Sequence, residues 1–183
     1  MGHWMSYFDE LCTAMQMLAS RPNTIFLGQG VGEKGTTMSA TFDGVVSDRR
    51  LEMPVAEDMQ AGISIGLALQ GYLPICVYPR WNFLICAANQ IVNHVDRLPL
   101  YSDYRPKVII RVATPSKSPF NPGPQHDDDF TAAFKLMLRT TEVLTLEREQ
   151  DIVPSYEWAL TAPKSVILVE YTEHYKDQRG KGG

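Results

Sequence analysis

Apolar and polar residues follow two different patterns along this chain. Six short runs are apolar at most positions, which is typical of parallel strands buried on both faces of a sheet. Between them lie segments in which apolar residues recur every three or four positions, as on one face of a helix. The predicted strands are residues 24–27, 51–55, 73–78, 107–113, 142–146 and 165–170, and the predicted helices are residues 6–20, 57–71, 82–98, 130–139 and 152–162.

Strands that alternate with helices predict an α/β fold, with a doubly wound, mostly parallel sheet and helices on both faces. We predict one domain over residues 6–175, followed by a polar, glycine-rich and flexible tail at residues 176–183. Met5 is a possible natural start, and the sequence does not decide whether residues 1–4 are native. Ligands of such sheets bind beyond the carboxyl ends of the strands. Candidate chemistry should therefore lie in the loops after Gly28, before Glu57 and at residues 114–129.

The helix predicted to run from Glu57 to Gly71 is apolar or small almost all round. A helix without a polar face must be buried on every side, so we expect it to need more cover than one domain provides. Glu57 lies at the N-terminus of this helix and would be poorly solvated there, which favours proton exchange with a bound ligand. The alternative is an ordinary N-terminal acid that complements the helix dipole.

Composition narrows the classes of function. A net charge of -4 over 183 residues, with no basic stripe, argues against nucleic acid as a partner. No apolar run approaches the length of a membrane span, and the first residues lack a signal-peptide pattern. Cys12, Cys76 and Cys86 have no metal-type spacing, and we interpret them as small core residues. We therefore expect a reduced, cytoplasmic protein with no membrane partner and no metal site of its own.

Several short motifs follow one another in a distinctive order. They are Phe26-Leu27-Gly28-Gln29-Gly30, then Met53-Pro54-Val55-Ala56-Glu57, then Gly62-Ile63-Ser64-Ile65-Gly66, then Trp81-Asn82-Phe83, Asn89-Gln90 and Gly123-Pro124-Gln125-His126. In this order they closely resemble the pyrimidine-binding domain of thiamine-diphosphate-dependent enzymes, above all transketolases and the beta subunits of 2-oxo acid dehydrogenase E1 components. The resemblance covers nearly the whole chain.

The resemblance implies roles for several of these residues. Glu57 matches a glutamate that hydrogen-bonds N1′ of the cofactor's aminopyrimidine and shares a proton with it. Phe83 falls where the family stacks an aromatic ring on the pyrimidine, and Trp81 is a weaker candidate for that position. Gln90 matches a glutamine near the cofactor pocket. His126 matches a histidine that reaches the substrate side of the cofactor, where it donates to an oxyanion or shuttles a proton.

Each of these residues also has a plain structural interpretation. Phe83 could be a core aromatic, Gln90 an amide that joins two elements, and His126 an exposed loop residue. The aspartates at residues 127–129 more naturally cap the helix predicted from residue 130 than bind a metal ion.

Two departures from the family pattern matter. Gln29 stands where the E1 beta subunits usually carry an acid, and residues 117–121 differ from the dehydrogenase loop, which leaves a standard dehydrogenase substrate in doubt.

The sequence contains no Gly-Asp-Gly, the motif with which the family binds diphosphate through Mg²⁺. The resemblance therefore implies a partner subunit that binds the diphosphate of thiamine diphosphate and Mg²⁺, in an α2β2 assembly.

The resulting hypothesis is a split transketolase-like transferase. It would move a two-carbon or acyl unit from a ketose or a 2-oxo acid. One alternative is a beta-type subunit of a 2-oxo acid decarboxylase or dehydrogenase E1 component. The other is a non-catalytic module that kept the fold, against which the joint presence of Glu57, Phe83 and His126 argues.

Overall fold

The computed structural model describes residues 5–33, 36–115 and 123–175. The strands are β1 (Thr24–Gly28), β2 (Arg50–Glu52), β3 (Leu73–Tyr78), β4 (Ile109–Thr114), β5 (Glu142–Leu146) and β6 (Val166–Tyr171). The α-helices are α1 (Tyr7–Ala19), α2 (Glu57–Leu69), α3 (Trp81–Leu84), α4 (Leu98–Tyr101), α5 (Thr131–Met137) and α6 (Glu149–Thr161). The strands form one sheet in the order β2-β1-β3-β4-β6-β5. Because every pairing is parallel, the predicted α/β fold is confirmed.

Helices cover both faces of this sheet. Alternate strand residues point to opposite sides, so that Phe26 and Ile75 pack with α1 and α6, whereas Leu27 and Cys76 pack with α2 and α3. The chain runs outward from β1 to β2 and then returns to place β3 on the other side of β1. This reversal creates a crevice at the carboxyl ends of β1 and β3, which is where doubly wound sheets bind ligands.

Two glycines shape the elements around this crevice. Gly28 ends β1 with a φ of 152°, and a Cβ there would lie 2.4 Å from the carbonyl oxygen of Val77. Only glycine allows β1 and β3 to lie this close at their ends. Gly71 follows α2 with a φ of 85°, and its N–H donates to the carbonyl of Ala68 at 3.1 Å. The predicted glycine cap of this helix is confirmed.

Helix α2 is not buried on every side within this chain. Its buried residues are Gln60, Ala61 and Ser64, which face the sheet. On the outward side Met59 is 45% exposed and Leu69 is 61% exposed. No other element among the described residues covers this flank, which agrees with the expectation that the helix needs more cover than one domain provides.

The helix predicted over residues 82–98 is present over most of its length, but it is not one regular α-helix. After α3 the chain forms a 3₁₀ turn at Ile85–Ala87 and a π-helical segment at Gln90–Val95. The N–H of Asp96 donates to the carbonyl of Ile91 at 2.9 Å, five residues back. A wider turn of this kind shifts the phase of the side chains, and it leaves both Ile91 and Val95 buried.

Smaller differences have local causes. Strand β2 ends at Glu52 because Pro54, two residues later, has no N–H to give to a neighbouring strand. Helix α5 starts at Thr131, one residue later than predicted, and its N-cap position is Phe130, which makes no side-chain capping hydrogen bond. Oδ1 of Asp129, the residue before the N-cap, accepts from the N–H of Thr131 at 2.8 Å. Cys86 is exposed, and its prediction as a core residue is wrong.

None of the helices in the described ranges has the length and apolarity needed to cross a bilayer.

Candidate functional site

The side chains predicted to act together lie at the carboxyl edge of the sheet. Glu57 begins α2 after the short β2, Phe83 lies in α3 after β3, and His126 follows β4. Gln29, the residue that departs from the family pattern, follows β1. The strands β1 and β3 are neighbours, so their following loops share the crevice described above.

Glu57 is fixed at both its backbone and its side chain. The hydroxyl of Tyr78 donates to the Glu57 backbone carbonyl at 3.1 Å. Burial, with smaller help from the neighbouring Cys76 and Glu57, raises the pKa of Tyr78, so the phenol remains a donor. The side-chain amide of Gln29 donates to Oε1 of Glu57 at 3.2 Å. Within the described ranges no cation forms an ion pair with this partly buried carboxylate.

The loop that carries Gln29 is held by a second carboxylate, which the sequence analysis missed. Glu52 accepts hydrogen bonds from the backbone N–H groups of Gly30 and Gly32, each at 2.7 Å, and from that of Glu33 at 3.2 Å. Partial burial acts to raise the pKa of Glu52, but these backbone donors outweigh it and hold the pKa below its ordinary value. The conformation of Gln29 therefore depends on an ionised side chain at the end of β2.

Phe83, after β3, and His126, after β4, are brought together at this edge of the sheet. Their ring centroids are 5.4 Å apart with the planes inclined at 60°. The loop of His126 is tied to the start of α3, because Arg80 Nη1 donates to the His126 carbonyl at 3.3 Å. A second tie joins the Asn82 amide to Oδ2 of Asp128 at 2.9 Å. Nδ1 of His126 is buried and has no hydrogen-bond partner among the residues described here.

Trp81 and Gln90 occupy different surroundings from this pair. Trp81 is fully buried, and its ring centroid lies 5.0 Å from that of Phe134, so it packs α3 against α5. Gln90 is partly buried, and its amide donates to Oδ2 of Asp58 at 3.4 Å. Asp58 is the residue after Glu57, so Gln90 borders the head of α2. The direct cofactor contacts assigned to Trp81 and Gln90 stay predictions, as do those of Glu57, Phe83 and His126.

A second polar cluster, which the sequence analysis also missed, lies on the face of the sheet that α1 and α6 cover. Arg111 in β4 and Glu170 in β6 are fully buried and form a two-point ion pair, with Nε–Oε1 at 2.6 Å and Nη2–Oε2 at 2.9 Å. The hydroxyl of Tyr156 donates to Glu170 Oε1 at 2.6 Å, and that of Tyr175 donates to Oε2. Charged residues inside otherwise apolar strand sequences were the available signal for this cluster.

The carboxyl-edge residues fit an aminopyrimidine ring. Glu57 offers a carboxylate whose partner is an uncharged amide, and Phe83 offers a partly exposed aromatic face beside His126. A ring nitrogen that shares a proton with an acid, and a flat face that stacks on an aromatic ring, match these two groups. No cluster of three potential metal-ligating side chains occurs in residues 5–33, 36–115 and 123–175.

Solved structures confirm the architecture. A split-gene transketolase, determined as an inactive beta4 tetramer, superposes with a TM-score of 0.69 at 16% identity, over 92% of this chain and 52% of that one. The fold is thus that of the transketolase-like α/β domains.

Curated proteins identify the family. The 2-oxoisovalerate dehydrogenase subunit beta of Bacillus subtilis (strain 168) is 32% identical over 113 residues, which are 58% of this chain and 35% of that protein. The mitochondrial pyruvate dehydrogenase E1 component subunit beta of Caenorhabditis elegans is 30% identical over 139 residues, 70% of this chain and 38% of that protein. The mitochondrial pyruvate dehydrogenase E1 component subunit beta-1 of Oryza sativa subsp. japonica is 26% identical over 170 residues, which are 91% of this chain and 45% of that protein. No protein-family model matches the chain.

The chain belongs to the family of pyrimidine-binding domains of thiamine-diphosphate-dependent enzymes, as its motifs indicated. It spans less than half the length of the curated relatives described above.

Proposed function

We propose that this chain supplies the aminopyrimidine half of a thiamine diphosphate site in a two-subunit, transketolase-like enzyme. The enzyme transfers a two-carbon or acyl unit from a ketose or a 2-oxo acid. The observation that carries the proposal is the Glu57 carboxylate, which lies at the carboxyl edge of a parallel sheet and accepts a hydrogen bond from the Gln29 amide.

The side chains divide the work at this site. Glu57 holds the proton that it shares with N1′ of the aminopyrimidine, and Gln29 orients its carboxylate without neutralising its charge. Phe83 stacks on the pyrimidine and excludes water from that face. His126 stands beside Phe83 and offers a nitrogen for an oxyanion or a proton of the substrate. Thiamine diphosphate, when bound, supplies the electron sink for cleavage next to a carbonyl group.

A companion subunit completes the site in this proposal. The outward flank of α2, which begins at Glu57, exposes Met59 and Leu69. Added Cβ atoms at Gly62 and Gly66 would meet nothing within 4 Å among the described residues, so another backbone can approach closely there. We propose that the companion covers this flank and binds the diphosphate through Mg²⁺, in an α2β2 assembly.

The second candidate is a beta-type subunit of a 2-oxo acid dehydrogenase or decarboxylase E1 component. The sequence relatives favour it, since the curated matches described above carry those names. The two candidates differ in the acceptor. Turnover of a ketose with an aldehyde acceptor supports the transferase, and acyl transfer to lipoamide supports the E1 component.

The test isolates the role of Glu57. The chain is co-expressed with a genomic neighbour that carries Gly-Asp-Gly, and binding of thiamine diphosphate with Mg²⁺ is measured by calorimetry. Proton–deuterium exchange at C2 of the bound coenzyme is then followed by NMR. We expect Glu57→Gln to slow this exchange by about 10²- to 10⁴-fold, the range for loss of a positioned proton-transfer group.

Asp58→Asn is the matched control. It removes the next carboxylate of the same helix, which is exposed and accepts from Gln90, and should leave the exchange rate within about threefold. Unchanged exchange in Glu57→Gln would contradict the assigned role. Failure of the assembled wild-type protein to bind the coenzyme would contradict the whole proposal and favour a non-catalytic module.

A further inference from the structure

Arg80 is a charged residue at the site that the family motifs do not account for. It lies two residues beyond the end of β3 and directly before α3, with an extended backbone (φ -154°, ψ 156°). Its side chain is partly buried, and Nη1 lies 3.3 Å from the carbonyl oxygen of His126. The guanidinium is thus turned toward the loop of the candidate catalytic histidine.

A second arginine at the same edge of the sheet provides a comparison. Arg148 follows β5, and its Nε and Nη2 donate to the two oxygens of Asp151 at 2.8 and 3.0 Å. Arg80, in contrast, forms no ion pair with any carboxylate in the described ranges. A guanidinium carries five N–H donors, and the hydrogen bond to the His126 carbonyl uses one of them.

Three acids at this edge of the sheet already have other partners. Asp128 accepts from Asn82, Glu57 accepts from Gln29, and Glu52 accepts from the backbone of its glycine loop. A partly buried, permanently charged guanidinium beside the Phe83–His126 pair therefore keeps donors for a planar or tetrahedral anion.

We propose that Arg80 is a specificity-determining residue that binds the anionic group of the substrate. The group is the carboxylate of a 2-oxo acid or the phosphate of a phosphorylated ketose, since a guanidinium binds either. The inference rests on the proposed function of the site and adds the substrate class: the donor is an anion whose charge lies on the His126 side.

The two sources of the anion differ in their kinetic signature. A phosphate remote from the reacting carbon is bound equally before and during the reaction, so loss of Arg80 raises KM and leaves kcat unchanged. A carboxylate that departs as CO₂ keeps only part of its interaction with Arg80 in the transition state. Loss of Arg80 then raises KM by a larger factor than it raises kcat, so that kcat/KM still falls.

The experiment uses the assembled enzyme with Arg80→Met, Arg80→Lys and the control Arg148→Met. The donors are pyruvate, fructose 6-phosphate and uncharged fructose. We expect Arg80→Met to lower kcat/KM about 10- to 100-fold for the anionic donor that is used, in line with loss of a charge-assisted hydrogen bond. The decrease for fructose should be much smaller, because fructose loses only the effect of the hydrogen bond between Arg80 and the His126 carbonyl. Arg80→Lys should recover part of the loss because the charge remains. Arg148→Met should behave as wild type with every donor.

A second measurement does not depend on turnover. Phenylglyoxal modifies accessible arginines, and the modified peptides are quantified by mass spectrometry. Pyruvate or inorganic phosphate should protect Arg80 and leave Arg148 reactive. Equal kcat/KM in Arg80→Met and wild type, or no protection by either anion, overturns the inference while the coenzyme site stands. Absence of coenzyme binding by wild type overturns the proposed function and this inference together.

Discussion

The two polar clusters of this chain use the same kinds of residue in opposite ways. Under one face of the sheet, Glu170 is fully buried and accepts hydrogen bonds from Arg111, Tyr156 and Tyr175. At the carboxyl edge, Glu57 accepts from a neutral amide, and Arg80 donates to a backbone carbonyl. The first cluster pairs its two opposite charges with each other, whereas the second has a carboxylate and a guanidinium that form no ion pair within the described ranges.

This difference separates stability from function. A buried ion pair gives little net stability over an apolar replacement, but removal of one partner leaves an uncompensated charge that is very costly. A partly exposed carboxylate without a cationic partner contributes little to folding and remains available for chemistry. Substitutions in the two clusters should therefore affect different measurements.

The largest effect is expected at Glu170. Glu170→Leu leaves the Arg111 guanidinium buried without its counter-ion and should lower the free energy of unfolding by about 3–5 kcal/mol. Urea denaturation followed by circular dichroism measures the loss. The double variant Arg111→Met/Glu170→Leu removes both charges and should be more stable than the single variant. A double variant that is as unstable as Glu170→Leu would show that the ion pair does not dominate.

A smaller and different effect is expected at Gln29. Gln29→Leu removes the amide that orients Glu57, and it should change the free energy of unfolding by less than about 0.5 kcal/mol. Coenzyme affinity of the assembled enzyme should fall about fivefold, the equivalent of one hydrogen bond of about 1 kcal/mol. Gln16→Leu, which removes an exposed amide that donates to the Asp43 carbonyl, is the control and should leave this affinity unchanged. Equal affinities in Gln29→Leu and wild type would mean that Glu57 needs no orienting partner.

A third effect concerns a cation outside both clusters. Lys107 is partly buried before β4 and donates to the Ala162 carbonyl. Burial, and secondly the nearby Arg21, lower the pKa of Lys107 to about 8. Because the unfolded chain binds this proton more tightly, the charged lysine disfavours folding below pH 8, and this penalty disappears as pH rises toward about 10.5. The stability of wild type relative to Lys107→Met should accordingly increase from pH 7 to pH 10, as measured by urea denaturation at each pH. A difference that does not vary with pH would contradict the lowered pKa.

The elements that sequence predicts best are those determined by local patterns. Strand β3 was predicted at residues 73–78 and β5 at residues 142–146, which are the bounds found. Both are short apolar runs between clear breaks. The cap at Gly71 needed only the conformational freedom of glycine after a helix. The π-helical segment at Gln90–Val95 escaped prediction because the pattern of apolar residues alone does not reveal a change of helical phase.

The candidate site likewise contains residues that the local sequence predicts and contacts that it does not predict. Glu57 was predicted at the head of its helix from neighbouring residues, and the structure places it there. Its partner Gln29 comes from 28 residues earlier, and the loop of His126 is 46 residues beyond Arg80. Such pairings arise only when the strands are ordered in the sheet. An arginine two residues after a buried strand was the one local sign for the role proposed for Arg80.

The uncovered side of α2 has a consequence for how this polypeptide is produced. Met59 and Leu69 present apolar surface to water, which in a surplus subunit promotes self-association and proteolytic removal. If the proposed companion subunit covers this flank, we expect balanced synthesis of the two chains to matter more for the accumulation of this polypeptide than its own folding does. Translation from one shared transcript would provide that balance.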